Sequence, residues 1–87
     1  MDHRDDIEQW LKQLLARNLR VPKAKIDPTV TFDRLGLDST SAVALALEIE
    51  EHFGVPMTET VFFDHPSLAE LADYLVTVVS KTSNTDG

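Results

Sequence analysis

Three segments of the chain repeat apolar residues at the spacing of an α-helix, and they predict three long helices. The first covers residues 3–19. The second covers residues 39–53, where Gly54 can end the helix in the left-handed conformation. The third begins at Ser67, which can form a capping box with Glu70. Helices this short are not stable alone, so their apolar stripes must face one another. The stripes are Ile7, Trp10, Leu11, Leu14, Leu15 and Leu19; Ala42, Leu45, Ala46, Ile49 and Phe53; and Leu68, Leu71, Ala72, Leu75, Val76 and Val79.

The segments between the helices have no such periodicity. Pro22 and Pro28 interrupt residues 20–37, which we predict to be a long connection, and a loop of this length in a compact domain is often functional. Residues 58–63 favour a short helical turn. Residues 64–66 end it, because the residue before a proline avoids helical geometry.

These elements together predict an all-α fold, a small four-helix bundle of three long helices and one short helix. A chain of 87 residues favours one domain with a modest core and little room for a deep active-site cleft. We place that domain at residues 1–80 and expect the polar residues 81–87 to be a disordered tail.

Charge and composition exclude several classes of function. The net charge of −7 argues against nucleic-acid binding, which needs Lys and Arg for the phosphates, and favours basic protein partners. No apolar run approaches the ~18 residues of a membrane span, and the N-terminus is too polar for a secretory signal. Cysteine is absent, which removes disulfides, a cysteine nucleophile and thiolate metal sites. We expect a cytoplasmic protein.

One serine stands out at the start of the second helix. Gly36 can form a turn with positive φ, and Asp38 is a good N-cap residue, so Ser39 should be anchored at the mouth of the helix and exposed. A serine in the first turn of a helix is also common as a structural residue. Asp38 already supplies the cap here, which favours a serine that another protein modifies.

Catalysis by this serine is not favoured, because a nucleophilic serine needs a base within hydrogen-bond reach. His52 lies about four turns further along the helix, His3 is near the terminus, and His65 lies in a loop. The motif also lacks the glycines of a nucleophile elbow. The spacing of the acids and histidines matches no metal-ligand set, so we predict neither a catalytic residue nor a metal site.

The outer face of the second helix combines small residues, one leucine and carboxylates. On a helical wheel it lies opposite the apolar stripe and consists of Thr40, Ala44, Leu47, Glu48 and Glu51. An exposed leucine with an acidic rim is typical of a docking surface. A solvated face with a single apolar residue fits the pattern equally well.

The segment Leu35–Ser39 resembles the phosphopantetheine-attachment motif of acyl carrier proteins, and the similarity covers residues 32–75. The segment Val61–Leu68, followed by Leu71 and Ala72, is similar to the third-helix region of polyketide synthase carrier domains. The resemblance implies an acyl-carrier fold in which Ser39, directly after Asp38, receives 4′-phosphopantetheine from coenzyme A.

The same resemblance implies a monomeric, non-catalytic carrier that holds acyl intermediates as thioesters in polyketide biosynthesis. Its partners would be a phosphopantetheinyl transferase and a ketosynthase, acyltransferase or other synthase enzymes. Two positions depart from the family: Thr40 replaces the usual aliphatic residue, and Ala44 stands where many relatives have an acid.

Other functions remain open from the sequence. The chain could carry aminoacyl, peptidyl or special extender units in a related pathway. It could also be an unmodified acidic helical interaction module in which Asp38 and Ser39 only cap a helix, or a small hydrolase that uses Ser39.

Overall fold

The computed structural model describes residues 3–84, with the side chains of residues 4–79. The predicted all-α fold is confirmed: within this range three long helices are joined by short ones, and the sole β-pairing is an isolated bridge between Thr31 and Ser67. The helices are α1 (His3–Leu19), a 3₁₀ helix (Lys23–Lys25), α2 (Phe32–Leu35), α3 (Ser39–Phe53), α4 (Val61–Asp64) and α5 (Leu68–Asn84).

The ends of α3 are fixed by local chemistry that the sequence already indicated. Asp38 has an extended backbone, and its Oδ1 accepts a hydrogen bond from the amide of Ser41 at 2.8 Å. At the other end Gly54 takes the left-handed conformation (φ 71°, ψ 27°) and donates its amide to the carbonyl of Glu50. The predicted bounds of α3 are therefore confirmed, because both caps satisfy helix-end groups that would otherwise lack partners.

The apolar stripes of the three long helices meet in one core, as predicted. α1 and α3 run antiparallel, since Trp10 stacks on His52 while Arg17 contacts Glu48. Within the stripes Trp10, Leu19, Phe53 and Val76 are half-buried and pack against the core, and the other members except Val79 are buried. The prediction of Val79 is corrected, because Val78 packs against the core at this end of α5. Eight large side chains are fully buried: Leu11, Leu14, Leu15, Leu45, Ile49, Leu68, Leu71 and Leu75.

The connection at residues 20–37 contains the 3₁₀ helix and α2, which sequence periodicity did not predict. A four-residue helix is too short to show a period, and tertiary contacts hold this one in place. The amide of Phe32 donates to the carbonyl of Pro66 at 2.8 Å, and its buried ring meets Phe62 edge-on at 5.0 Å. The amide of Ala69 donates to the carbonyl of Pro28 at 2.9 Å. The long connection is thereby fastened to the start of α5.

Two predicted boundaries need correction. The short helix spans Val61–Asp64 rather than residues 58–63, because residues 58–60 form a turn in which the carbonyl of Thr58 accepts from the amide of Val61 at 3.1 Å. α5 begins after Ser67, as predicted, with the Ser67 hydroxyl accepting from the amide of Glu70 at 3.3 Å.

α5 also extends further than expected. It continues to Asn84, so residues 81–84 of the predicted tail are helical, and no glycine or proline interrupts the chain before that point. Residues 85–87 lie outside the described residues. Within residues 3–84, every helix is too short or too polar to cross a membrane.

Candidate functional site

The turn between α2 and α3 places Ser39. Gly36 adopts φ 98° and ψ 16°, a left-handed conformation that favours glycine, and its amide donates to the carbonyls of Asp33 and Phe32. The amide of Leu37 also donates to the carbonyl of Phe32, at 3.0 Å. These bonds close α2 and direct the chain into α3, whose first residue is Ser39, with an exposed side chain.

The neighbouring Asp38 is committed to capping α3. Hydrogen bonds from the backbone amide and the hydroxyl of Ser41 hold the pKa of the Asp38 carboxyl below its ordinary value of 3.8. Asp38 therefore remains ionised at neutral pH and is directed toward Ser41.

The three serines between residues 9 and 75 differ sharply in accessibility. Ser41 is half-buried, and its amide and hydroxyl bond to Asp38. Ser67 is 7% exposed, and its hydroxyl caps α5. Ser39 is exposed. Among these serines, Ser39 alone can be reached by another protein without disturbing a cap.

A cleft of about 440 Å³ opens beside Ser39 between α2, α3 and α4. Aromatic and aliphatic side chains dominate its wall, with the carboxylates of Asp33 and Asp38 at its edge. The lining residues are Thr31, Phe32, Asp33, Leu37, Asp38, Ser39, Ala42, Phe62, Phe63 and Pro66. Because Ser39 is one of the lining residues, a chain attached to it would lie beside this apolar wall.

No histidine with a described side chain lies in this cleft. His52 stacks on Trp10 with ring centroids 4.2 Å apart, near the far end of α3. His65 stacks on Tyr74, also at 4.2 Å, and lines a separate, smaller cavity. The side chain of His3 lies outside the described residues. Among the described residues, no His, Asp and Glu side chains cluster in a way that could hold a metal ion.

The residues of the predicted docking surface lie on the outer face of α3, and each has a solvent-accessible side chain. Thr40, Ala44 and Glu51 are exposed, and Leu47 is 54% exposed. The side chain of Glu48 is 42% exposed, and its Oε1 lies 3.3 Å from Nη2 of Arg17. Packing of α1 against α3 produces this pair, which a wheel of one helix cannot show.

Two exposed apolar residues near Ser39 were missed by the sequence analysis. Val43 is 46% exposed on α3, one turn before Leu47, and Phe63 on α4 is 69% exposed. Because Val43 lies among the apolar residues of α3, the sequence pattern did not predict that its side chain is exposed. The predicted bounds of the short helix differ from those of α4, so the sequence did not predict that Phe63 lines the cleft beside Ser39.

Comparison with known proteins gives the same region a family context. The family described as "Phosphopantetheine attachment site" matches residues 9–75. A phenolphthiocerol/phthiocerol polyketide synthase from Mycobacterium tuberculosis is 39% identical over 72 residues. That alignment covers 83% of this chain but 4% of the synthase, so the chain spans a small part of that relative.

Two solved structures share the fold. The HMG-ACPI domain of the CurA module from Lyngbya majuscula superposes with a TM-score of 0.87 at 31% identity, over 93% of this chain and 82% of that one. A free-standing peptidyl carrier protein from Acinetobacter baumannii gives a TM-score of 0.85 at 29% identity, over 87% of this chain and 95% of that one.

Proposed function

The chain belongs to the family of phosphopantetheine-attachment carrier domains, and we propose that Ser39 carries its covalent 4′-phosphopantetheine arm. The exposure of Ser39 at the first turn of α3 carries the proposal, since Ser41 and Ser67 are engaged in helix caps. The left-handed turn at Gly36 supports it, because this turn presents Ser39 to an approaching enzyme.

The first turn of α3 suits a phosphodiester on Ser39. The amides of Ser39 and Thr40 have no intrahelical acceptor, and the positive end of the helix dipole stabilises a nearby anion by about 0.3–1 kcal/mol. The ionised Asp38 opposes this locally, but its carboxylate bonds to Ser41. The amides of Ser39 and Thr40 are therefore the groups of this chain that can stabilise the phosphate.

The cleft beside Ser39 suits the rest of the arm. Phe32, Leu37 and Phe62 provide an apolar wall next to the attachment point. Because the chain contains no cysteine, the arm supplies the thiol that bears acyl cargo as a thioester. The protein's part is to tether that thiol, which raises the effective concentration of the cargo at each partner.

We assign no catalytic step to the protein itself. A nucleophilic Ser39 would need a base, yet His52 and His65 are held in ring stacks away from the cleft. The ionised Asp38 is bonded to Ser41. These contacts support a carrier and argue against a hydrolase.

The outer face of α3 and the exposed ring on α4 are the proposed docking surface for partner enzymes. It contains Thr40, Val43, Ala44, Leu47, Glu51 and Phe63, with Glu48 at the edge beside Arg17. A partly apolar surface with an acidic margin fits a partner that offers an apolar pocket with Arg or Lys around it. The proposed partners are a phosphopantetheinyl transferase and a ketosynthase, acyltransferase or other synthase enzyme.

The proposed cargo is a polyketide intermediate. Similarity to a polyketide synthase and to the CurA carrier domain supports this choice. The proposed unit is one monomeric domain that includes α5 to Asn84, beyond the predicted boundary at residue 80, and it acts in the cytoplasm, where coenzyme A is available. Likeness to a free-standing peptidyl carrier keeps aminoacyl or peptidyl cargo as a second candidate.

The attachment site can be tested by intact mass after incubation with coenzyme A, Mg²⁺ and a broad-specificity transferase. We expect wild type and Ser41→Ala to gain one phosphopantetheine and Ser39→Ala to gain none. Circular dichroism should show that both variants keep the helical fold. A Ser39→Ala protein that still gains the group would overturn the assignment.

The cargo can be tested with the modified protein. We expect a malonyl-transferring enzyme of a polyketide synthase to load it, and an amino-acid-adenylating enzyme of a peptide synthetase to load it poorly. The reverse preference, read as the mass of the bound cargo, would favour the second candidate.

A further inference from the structure

Positive charge is concentrated in one short part of this acidic chain. Four of the eight Lys and Arg residues fall within residues 17–26, which contain no Asp or Glu. The rest of the chain has the other four cations against all fifteen acids, so it is more acidic than the net charge of −7 suggests. We call the side chains of Arg17, Arg20, Lys23 and Lys25 the basic surface.

The backbone under the basic surface is held by hydrogen bonds. The amide of Val21 donates to the carbonyl of Ala16 at 3.1 Å, and that of Lys25 donates to Pro22 at 2.9 Å. Ile26 is buried at 3% exposure and anchors the 3₁₀ helix to the core. All four cationic residues are exposed. The segment therefore presents its charges from an ordered scaffold, which lowers the entropic cost of binding.

Most of this charge is not neutralised within the protein. Among the side chains described for residues 4–79, Arg17 is the one member of the basic surface in an ion pair, with Glu48 at 3.3 Å. The next acid along the chain, Asp27, accepts bonds from the amide and hydroxyl of Thr29 at 2.9 and 2.8 Å.

Helix electrostatics explains part of the surface only. Cations near the C-terminus of a helix are stabilised by the helix dipole, which accounts for Arg17 in the last turn of α1 and for Arg20 just after it. Lys23 and Lys25 lie beyond α1, on the 3₁₀ helix, and the effect fades within one turn. Their placement fits an intermolecular role.

We propose that the basic surface docks an acidic protein surface, so that this carrier has a second interaction site opposite in charge to the one on α3. A patch of four cations matches a local cluster of Asp and Glu. A long polyanion such as duplex DNA, or an extended anionic membrane, would also meet the acidic remainder of the chain and be repelled. Two sites of opposite sign would let the carrier discriminate between enzymes whose own surfaces differ in charge.

The probe is a hexaglutamate peptide titrated into the ¹⁵N-labelled 87-residue chain at low salt, and binding is followed by amide chemical shifts. We expect perturbations to centre on residues 17–26 and to fade as salt is raised. Reversal of Lys23 to Glu should weaken binding about three-fold or more, because it replaces an attraction with a repulsion. The matched control is Arg34→Glu, which makes the same charge change at an exposed cation on α2. It should leave binding near the wild-type value.

Three results would overturn the proposal. One is a perturbation of amide chemical shifts over the whole protein surface. Another is an equal loss of affinity for hexaglutamate in Arg34→Glu and Lys23→Glu, which would show that only total charge matters. The third is tighter binding at residues 17–26 by a DNA duplex or phosphatidylglycerol vesicles than by hexaglutamate. Modification of Lys23→Glu on Ser39, read by intact mass, reports separately on the carrier function.

Discussion

Substitution of Gly36 by alanine should destabilise the protein through backbone strain alone. Gly36 adopts φ 98°, and a Cβ built there meets no atom within 4 Å, so no steric clash contributes. The alanine must instead occupy a left-handed conformation that L-residues avoid. The strain falls on the turn that leads into α3, three residues before Ser39.

The magnitude follows from two opposing terms. An L-residue in the left-handed region costs about 1–2 kcal/mol. Alanine also restricts the unfolded chain, which offsets roughly 0.4–1 kcal/mol of that cost. The net loss should be about 1 kcal/mol of unfolding free energy, equivalent to a Tm lower by about 4–8 °C for a domain of this size.

Gly54 provides the matched control. It has φ 71°, closer to the region that L-residues tolerate, and a Cβ there also meets nothing within 4 Å. Urea unfolding of the two alanine variants should therefore rank Gly36→Ala below Gly54→Ala. Asparagine at Gly36 should recover part of the loss, since it enters this region more readily. A stability of Gly36→Ala within about 0.3 kcal/mol of wild type, well below the expected net loss of about 1 kcal/mol, would refute the reasoning.

Three further predictions concern the surroundings of Ser39. Asp38→Ala should be less stable than wild type at pH 7, and this difference should shrink as the pH falls below 3.8, because the lowered pKa of the Asp38 carboxyl contributes stability that is lost on protonation. A difference in urea midpoint that stays constant down to about pH 2 would contradict this. Thr40→Leu should raise kcat/KM for a general-purpose transferase by up to about ten-fold through added apolar contact. If wild type and Thr40→Leu have the same kcat/KM with that enzyme and also with the native partner, Thr40 takes no part in recognition. Phe63→Ala should leave the free energy of unfolding within about 0.5 kcal/mol of wild type, since the ring is 69% exposed. The same change should raise the KM of a partner enzyme several-fold, and an unchanged KM would exclude the ring from docking.

The parts of the fold that sequence alone predicted are those determined locally. The bounds of α1 and α3 and the start of α5 follow from apolar periodicity and from caps at Asp38, Gly54 and Ser67. Each of these signals lies within a few residues of the element that it defines. The placement of Ser39 at the mouth of α3 follows from the same local chemistry.

The parts that sequence did not predict depend on contacts between distant segments. α2 is held in place by a hydrogen bond from the amide of Phe32 to the carbonyl of Pro66, 34 positions further along the chain. The ion pair between Glu48 and Arg17 of α1 could not be predicted from a wheel of one helix. The exposure of Phe63 depends on how α4 lies beside the cleft, which no periodicity encodes.

The central claim, that Ser39 carries the arm, is tested most directly on the unmutated protein. Trypsin cleaves after Arg34 and next after Lys81, so a single peptide contains Ser39, Ser41, Ser67 and Ser80. After modification with coenzyme A, fragmentation of this peptide in a mass spectrometer locates the added group. We predict that it lies on Ser39 alone. Its presence on Ser41, Ser67 or Ser80, or an unmodified peptide after exhaustive incubation, would contradict the account.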